Sequence, residues 1–291
     1  MKKITLIGLF VTCLSLQSFT QDLPAYRILD SSGKEVGFRK MMKSLDDADF
    51  VFYGELHNNP VAHWMELEIT KSLYDKKQQD LVLAAEMFES DNQLILTEFL
   101  QGYLNDKRFE DEARLWKNYK TDYKPLVVFA KEKKLAFIAS NVPRHYAGLV
   151  SDKGFEVLDA LTPEAKHWMA PLPIVYDSTL SCYTDMLAMM EGGHGNANIN
   201  NLPKAQALKD ATMAYFSMKA WSQGKTVIHF NGSYHSDKHQ GIVWHILQQI
   251  PQAKILTITT LEQKDISTLS KDSEGLADFI ILVPDSMTKT Y

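Results

Sequence analysis

Residues 50–57 read Phe-Val-Phe-Tyr-Gly-Glu-Leu-His. Four apolar residues in a row, then a glycine and two ionisable side chains, predict a strand buried on both faces that delivers polar groups at its C-terminal end. The next residues predict a helix. Asn58 and Asn59 can cap it, Pro60 suits its first turn, and Val61, Met65, Ile69 and Leu73 repeat every four positions. The same unit recurs along the chain. Residues 81–85 (Leu-Val-Leu-Ala-Ala) lead to a helix carrying Leu94, Ile95, Phe99 and Leu100. Residues 123–134 read as helix and run into a third strand at 135–139. A fourth strand at 226–230 precedes a helix with Ile242, Val243, Ile246, Leu247 and Ile250, and the last strands fall at 255–260 and 279–283. Apolar strands separated by amphipathic helices predict an α/β fold, with a mostly parallel sheet and helices on both faces.

Residues 143–203 break this rhythm, because they hold a helical run around 176–190 and a Gly-rich loop at 191–196 but no convincing strand. The expected organisation is therefore a core of 21–142 and 204–291, with 143–203 as a helical insertion subdomain. Residues 1–20 stand apart. Lys2 and Lys3 precede an apolar run that ends at Leu16, and four mostly polar residues follow. That run is too short to span a bilayer and reads as a secretory signal peptide, cleaved near residues 20–21; an N-terminal anchor is the alternative. The expected location is exported, either periplasmic or membrane-associated.

Composition narrows the function. With 45% hydrophobic and 23% charged residues, the chain is neither disordered nor a multi-span membrane protein. A net charge of −5 leaves no broad basic surface, so nucleic acid is not an expected partner. The two cysteines, Cys13 and Cys182, are too few for a disulfide scaffold or a cysteine zinc site. Cys182 is expected to be buried and inert.

Ligands of open α/β sheets bind beyond the C-terminal strand ends. Those ends carry Glu55 and His57, Glu86, Arg144, and Asn231 to His235. Two matching Gly-x-x-His turns, 54–57 and 232–235, point to a shared site. Both histidines are expected beside helix N-termini, which would favour a neutral imidazole able to ligate a metal or accept a proton. Glu55, His57, Glu86 and His235 then form a mixed nitrogen and oxygen set suited to a divalent metal ion. In a hydrolase the same four would be catalytic, with one glutamate as general base towards a metal-bound water. The structural alternative is that the carboxylates bind loop amides and the histidines only pack. His63 is expected at the pocket rim, and no Gly-x-Ser-x-Gly elbow or phosphate loop occurs.

Five stretches carry a more specific resemblance: GELHNNPVAHWMELE (54–68), LVLAAEMFESDNQ (81–93), IASNVPR (138–144), AQALKDATMA (205–214) and NGSYHSDKHQGI (231–242). In this order they resemble the ChaN family of haem-binding uptake proteins, within the Tiki superfamily. The resemblance implies an α/β core with a helical subdomain. It also implies an exported bacterial protein of haem and iron acquisition, and a homodimer holding two cofacial haems with tyrosine as iron ligand. Contact with outer-membrane haem uptake machinery would follow. The wider superfamily includes metal-dependent proteases, and erythromycin esterase-like hydrolases are distant relatives. Their paired Gly-x-x-His signature maps to Gly54, His57, Gly232 and His235, joined by Glu55 and Glu86. A metal-dependent hydrolase is thus the alternative function. The chain departs from the family in the late turn, where Tyr234 replaces a small residue.

Haem needs an axial donor, an apolar slot and cations for its propionates. Tyr183, Met186 and Met190 share a helical face by spacing, His194 lies in the following loop, and Tyr234 sits in the late turn. These, with Arg144 for a propionate, are the candidate haem-binding residues. A Met and Tyr stripe is also compatible with ordinary core.

Overall fold

The computed structural model describes residues 23–190, 199–221 and 224–291. The signal-peptide segment 1–20, Cys13 and His194 lie outside the described residues, as does the side chain of Met190. In chain order the elements are β1 (Arg27–Asp30), α1 (Phe38–Ser44), β2 (Phe50–Glu55), α2 (Pro60–Lys77), β3 (Leu81–Glu89), α3 (Gln93–Leu100) and α4 (Asp106–Glu112). They continue as α5 (Lys124–Lys133), β4 (Ala136–Asn141), α6 (Arg144–Lys153), α7 (Pro163–Lys166), α8 (Ser181–Met190) and α9 (Leu202–Ala220). The last are β5 (Thr226–Gly232), α10 (Ile242–Gln249), β6 (Ile255–Gln263) and β7 (Phe279–Pro284).

The strands form one sheet in the order β1-β7-β6-β2-β5-β3-β4. Among the described strands only β1 is antiparallel to its neighbour, and the other pairings are parallel. The α/β expectation holds. The reason is visible along β2, where all six residues are buried and alternate residues serve opposite layers. Val51 and Tyr53 pack with Met65, Ile69 and Leu73 of α2, while Phe50 and Phe52 pack with Met213 of α9 and Ile242 and Ile246 of α10. A strand that must satisfy two cores cannot alternate with polar residues.

Sequence order and spatial order differ where it matters. The chain runs from β2 through α2 to β3, leaving a gap that β5 later fills. Glu55 then pairs in register with Gly232, and Ala85 with Phe230. The C-terminal ends of β2, β5 and β3 are side by side although they are far apart in sequence. Between Ala85 and Glu89 the register of β3 against β4 shifts. Such an irregularity re-aims side chains, and Glu86 lies within it.

Several local expectations change. β1 was not expected; it is four residues long and pairs with a strand from the far end of the chain. The helix read from residue 123 starts at Lys124, after a π turn at Tyr119–Tyr123. The helical run at 176–190 shortens to Ser181–Met190. The described part of 143–203 is helical or irregular and contains no strand, with α6 joined to α9 through Val150, Ala147, Ala205 and Leu208.

Candidate functional site

The two Gly-x-x-His turns meet. Gly232 amide N–H donates to Glu86 Oε2 at 2.8 Å. A Cβ on Gly232 would lie 2.9 Å from Cε1 and Nε2 of His57. One on Gly54 would lie 2.9 Å from the Ser233 backbone. Each glycine therefore makes room for the other turn. The requirement is close approach, because neither φ is in the left-handed region.

Each histidine has a carboxylate behind it. His57 Nδ1 is 2.6 Å from Glu55 Oε1, and His235 Nδ1 is bonded to Asp210 Oδ1. The far nitrogen of His235, Nε2, is 3.2 Å from Glu86 Oε1. A carboxylate on one ring nitrogen fixes the ring's orientation and leaves the other nitrogen to face a ligand. Asp210 is itself held by the Tyr183 hydroxyl, which donates to Oδ2 at 2.9 Å. The His57 ring stands edge-on to Trp116, with centroids 4.9 Å apart.

This environment reverses the expected protonation. Burial works against charge on His235, but the fields of Glu86 and Asp210 outweigh it and raise the pKa to about 10. His57 is raised as well; burial opposes the charge, and the bond to Glu55 and the field of Glu86 overcome it. Burial would raise Glu55, but the bond from His57 and the neighbouring His63 bring it down to about 2. Glu86 is held well below the usual carboxylate range despite its burial, chiefly by His235. Helix ends do not govern these rings. His235 lies in a short 3-10 turn, and α10 begins only at Ile242.

Glu55, His57, Glu86 and His235 all line a cavity of about 480 Å³, together with Leu56, Met186, Lys209 and Tyr234. This is within the range for small-ligand sites. Glu86 and Lys209 also border a second cavity of about 560 Å³, which holds Arg144, Trp116 and Lys117. Arg144 is bonded there to Glu89. Tyr234 is 47% exposed at the mouth of the first cavity. Tyr183 is only 1% exposed and stands behind His235 rather than in the lining. Burial, then the field of Asp210, holds its hydroxyl far above the usual tyrosine range. Cys182 is buried, and burial pushes its thiol up to about 12.

Sequence reading missed Asp210, Lys209 and Glu66, and placed His63 at the rim. His63 is buried beneath His57, and its Nε2–H donates to the His57 carbonyl at 3.1 Å. The only available signal was the helical spacing of Gln206, Lys209, Asp210 and Met213 in the stretch 205–214. Glu55, His63 and Glu66 also form a group that could hold a metal, with ligand atoms all within 4.8 Å of one another.

A family model described as haem-binding uptake, Tiki superfamily, ChaN matches residues 41–246. The chain belongs to this ChaN family. Among solved structures, the fold is similar to ChaN of Campylobacter jejuni, whose structure is described as cofacial heme binding. The identity is 19%, the TM-score is 0.64, and the match covers 89% of this chain and 96% of that one. A Bacillus cereus protein is similar at 12% identity and TM-score 0.48, covering 89% of this chain and 95% of that one. An erythromycin esterase in its open conformation is similar at 10% identity and TM-score 0.46, covering 89% and 83%. No curated protein matches the sequence.

Proposed function

We propose that this chain is an exported haem-binding protein of bacterial haem and iron acquisition, and that haem is its cargo at the edge of the sheet. Family membership supports haem as the ligand. The observation that carries the site is the cavity wall itself. Tyr234 supplies an oxygen donor at the mouth, Leu56 and Met186 an apolar wall, and Lys209 a cation beside the His57 imidazole. Arg144 borders the adjoining cavity, within the same polar edge. Tyr183 orients Asp210 and through it His235, while Met190 and His194 are candidates by their place in the sequence alone. Export, a periplasmic or membrane-associated location, a haem-bridged homodimer and contact with outer-membrane uptake machinery complete the reading.

A haemin titration of residues 21–291 tests it. A saturable Soret shift is expected, displaced in Tyr234→Phe and kept in Tyr183→Phe. A flat, unsaturable response would remove haem from the reading.

One observation favours a second function, a metal-dependent hydrolase. Two imidazoles, each backed by a carboxylate, line one cavity with Glu86, and His235 Nε2 lies 3.2 Å from it. In that reading His57, His235 and one carboxylate of Glu55 or Glu86 hold a divalent ion that activates water, and the other carboxylate takes the proton. Hydrolysis of a peptide or ester that disappears in His57→Ala, with haemin titration unresponsive, would establish it.

A further inference from the structure

A second constellation lies one layer beneath the cavity, and haem binding makes no use of it. Glu55 at the end of β2, and His63 and Glu66 in the first turns of α2, are all more than nine-tenths buried. His63 Nδ1 is 3.3 Å from Glu55 Oε2 and 3.3 Å from Glu66 Oε2. The other ring nitrogen is committed to the His57 carbonyl, and it also lies 3.4 Å from Asp122 Oδ2. Nδ1 is thereby the nitrogen turned inward. The outer oxygen of Glu55, Oε1, is already occupied by His57 and by the Tyr123 hydroxyl, which donates at 2.7 Å. Glu55 Oε2 and Glu66 Oε1 accept no hydrogen bond, although both are buried.

Spacing distinguishes what could join these atoms. A strong charge-assisted bond gives contacts of about 2.7–2.9 Å, and the bond between His63 Nδ1 and Glu66 Oε2 is long, at 3.3 Å. A water bonded to all three would hold them farther apart, at roughly 4.5 Å for ordinary hydrogen-bond lengths. A cation bonded at about 2.0–2.1 Å in tetrahedral geometry sets ligand separations of roughly 3.3–3.4 Å. Two of the three separations, at 3.3 Å, match the last case, and all three donor atoms lie within 4.8 Å of one another. Charge agrees, because two carboxylates and a neutral imidazole are balanced by a divalent ion. Without such an ion, burial works against charge on His63 but Glu55 and Glu66 outweigh it and raise the pKa to about 11, while burial and Glu55 push Glu66 up, so the cluster would rest on protons instead.

We propose that Glu55, His63 and Glu66 form a buried structural site for a first-row divalent cation, one donor atom from each. It lies beneath the cavity wall and shares Glu55 with it, while His63 and Glu66 are outside the lining. Its ion ties the end of β2 to the start of α2, and His57 and Tyr123 act as the outer shell that fixes Glu55. A buried site takes up its ion during folding and resists chelation in the native state.

The test is elemental analysis of the purified full chain after native dialysis against EDTA, with cobalt as spectroscopic probe. The expected result is about one zinc, manganese or iron per chain, released only on unfolding. Glu66→Gln and His63→Gln should lose the ion, and His235→Ala should retain it. Refolding with Co²⁺ should give visible bands of a four-coordinate nitrogen and oxygen site in both the wild type and His235→Ala, which keeps the test decisive if the Glu66 variant fails to fold. A metal-free wild type whose refolding is indifferent to Zn²⁺, Mn²⁺ and Co²⁺ overturns the proposal. So does an ion lost in His235→Ala but kept in Glu66→Gln. Neither outcome bears on haem, which the Soret titration reads independently.

Discussion

At the scale of single residues, Gly232 and Asp210 illustrate how little of a site is donor chemistry. Gly232→Ala would push a methyl against the His57 ring. Haemin affinity is expected to fall about tenfold in a Soret titration, equivalent to about 1.4 kcal/mol, with the fold retained. Asp210→Asn removes one of the two carboxylates that keep His235 charged. An NMR titration of that ring should show its pKa falling well below about 10, and an unchanged value would exclude Asp210 as its holder. His229 sets the acid limit of stability. It is fully buried in β5, bonded to Ser140 and Asn231, and burial brings its pKa down to about 4. The unfolded chain takes up that proton first, near its ordinary value of 6.5, so the native state loses ground as pH falls from there towards 4. The loss is about 3 kcal/mol over that window. Urea midpoints measured between pH 7 and 4.5 should show it, with a flatter profile in His229→Gln.

At the scale of elements, α2 connects the site to the core. Asn59 caps it, accepting from the amides of Val61 and Ala62 at 3.0 and 3.1 Å, and its own amide donates to Glu262 on β6 at 2.8 Å. Asn59→Ala should cost about 1–2 kcal/mol in chemical denaturation. A cost near zero would mean that the cap is dispensable. The next helix on that layer, α5, is preceded by the π turn Tyr119–Tyr123. The extra residue in such a turn is a common device at functional sites, and here it brings Tyr123 to Glu55 and Asp122 to His63. On the opposite layer α9 supplies Lys209 and Asp210 to the site, while Leu208 and Met213 pack into the adjoining cores.

At the scale of the molecule, the switch in strand order makes one edge from four strands. The cavity and its neighbour meet there at Glu86 and Lys209, which allows a ligand larger than either to span both. In the proposed haem-bridged homodimer, binding adds an association step. Sedimentation velocity of residues 21–291 is therefore expected to show a dimer that forms with haemin and weakens in Tyr234→Phe. A species whose mass ignores haemin would separate haem binding from assembly.

The parallel sheet, its two helical layers and the polar edge were legible from apolar runs such as 50–53 and from the glycines that end them. These are local signals, because a strand buried on both faces must be apolar throughout. The resemblance in the five ordered stretches indicated the family, which the match over residues 41–246 shows. What the chain could not announce was contact between distant segments. β1 has four residues and acquires its identity from β7. Asp210 reads as one more charged residue on a helix until the fold sets it against His235. His63 reads as a rim residue until α2 turns it under His57 beside two carboxylates. The charge state of both site histidines was likewise decided by tertiary structure, because buried neighbouring carboxylates at hydrogen-bond distance outweigh a helix end in setting a pKa.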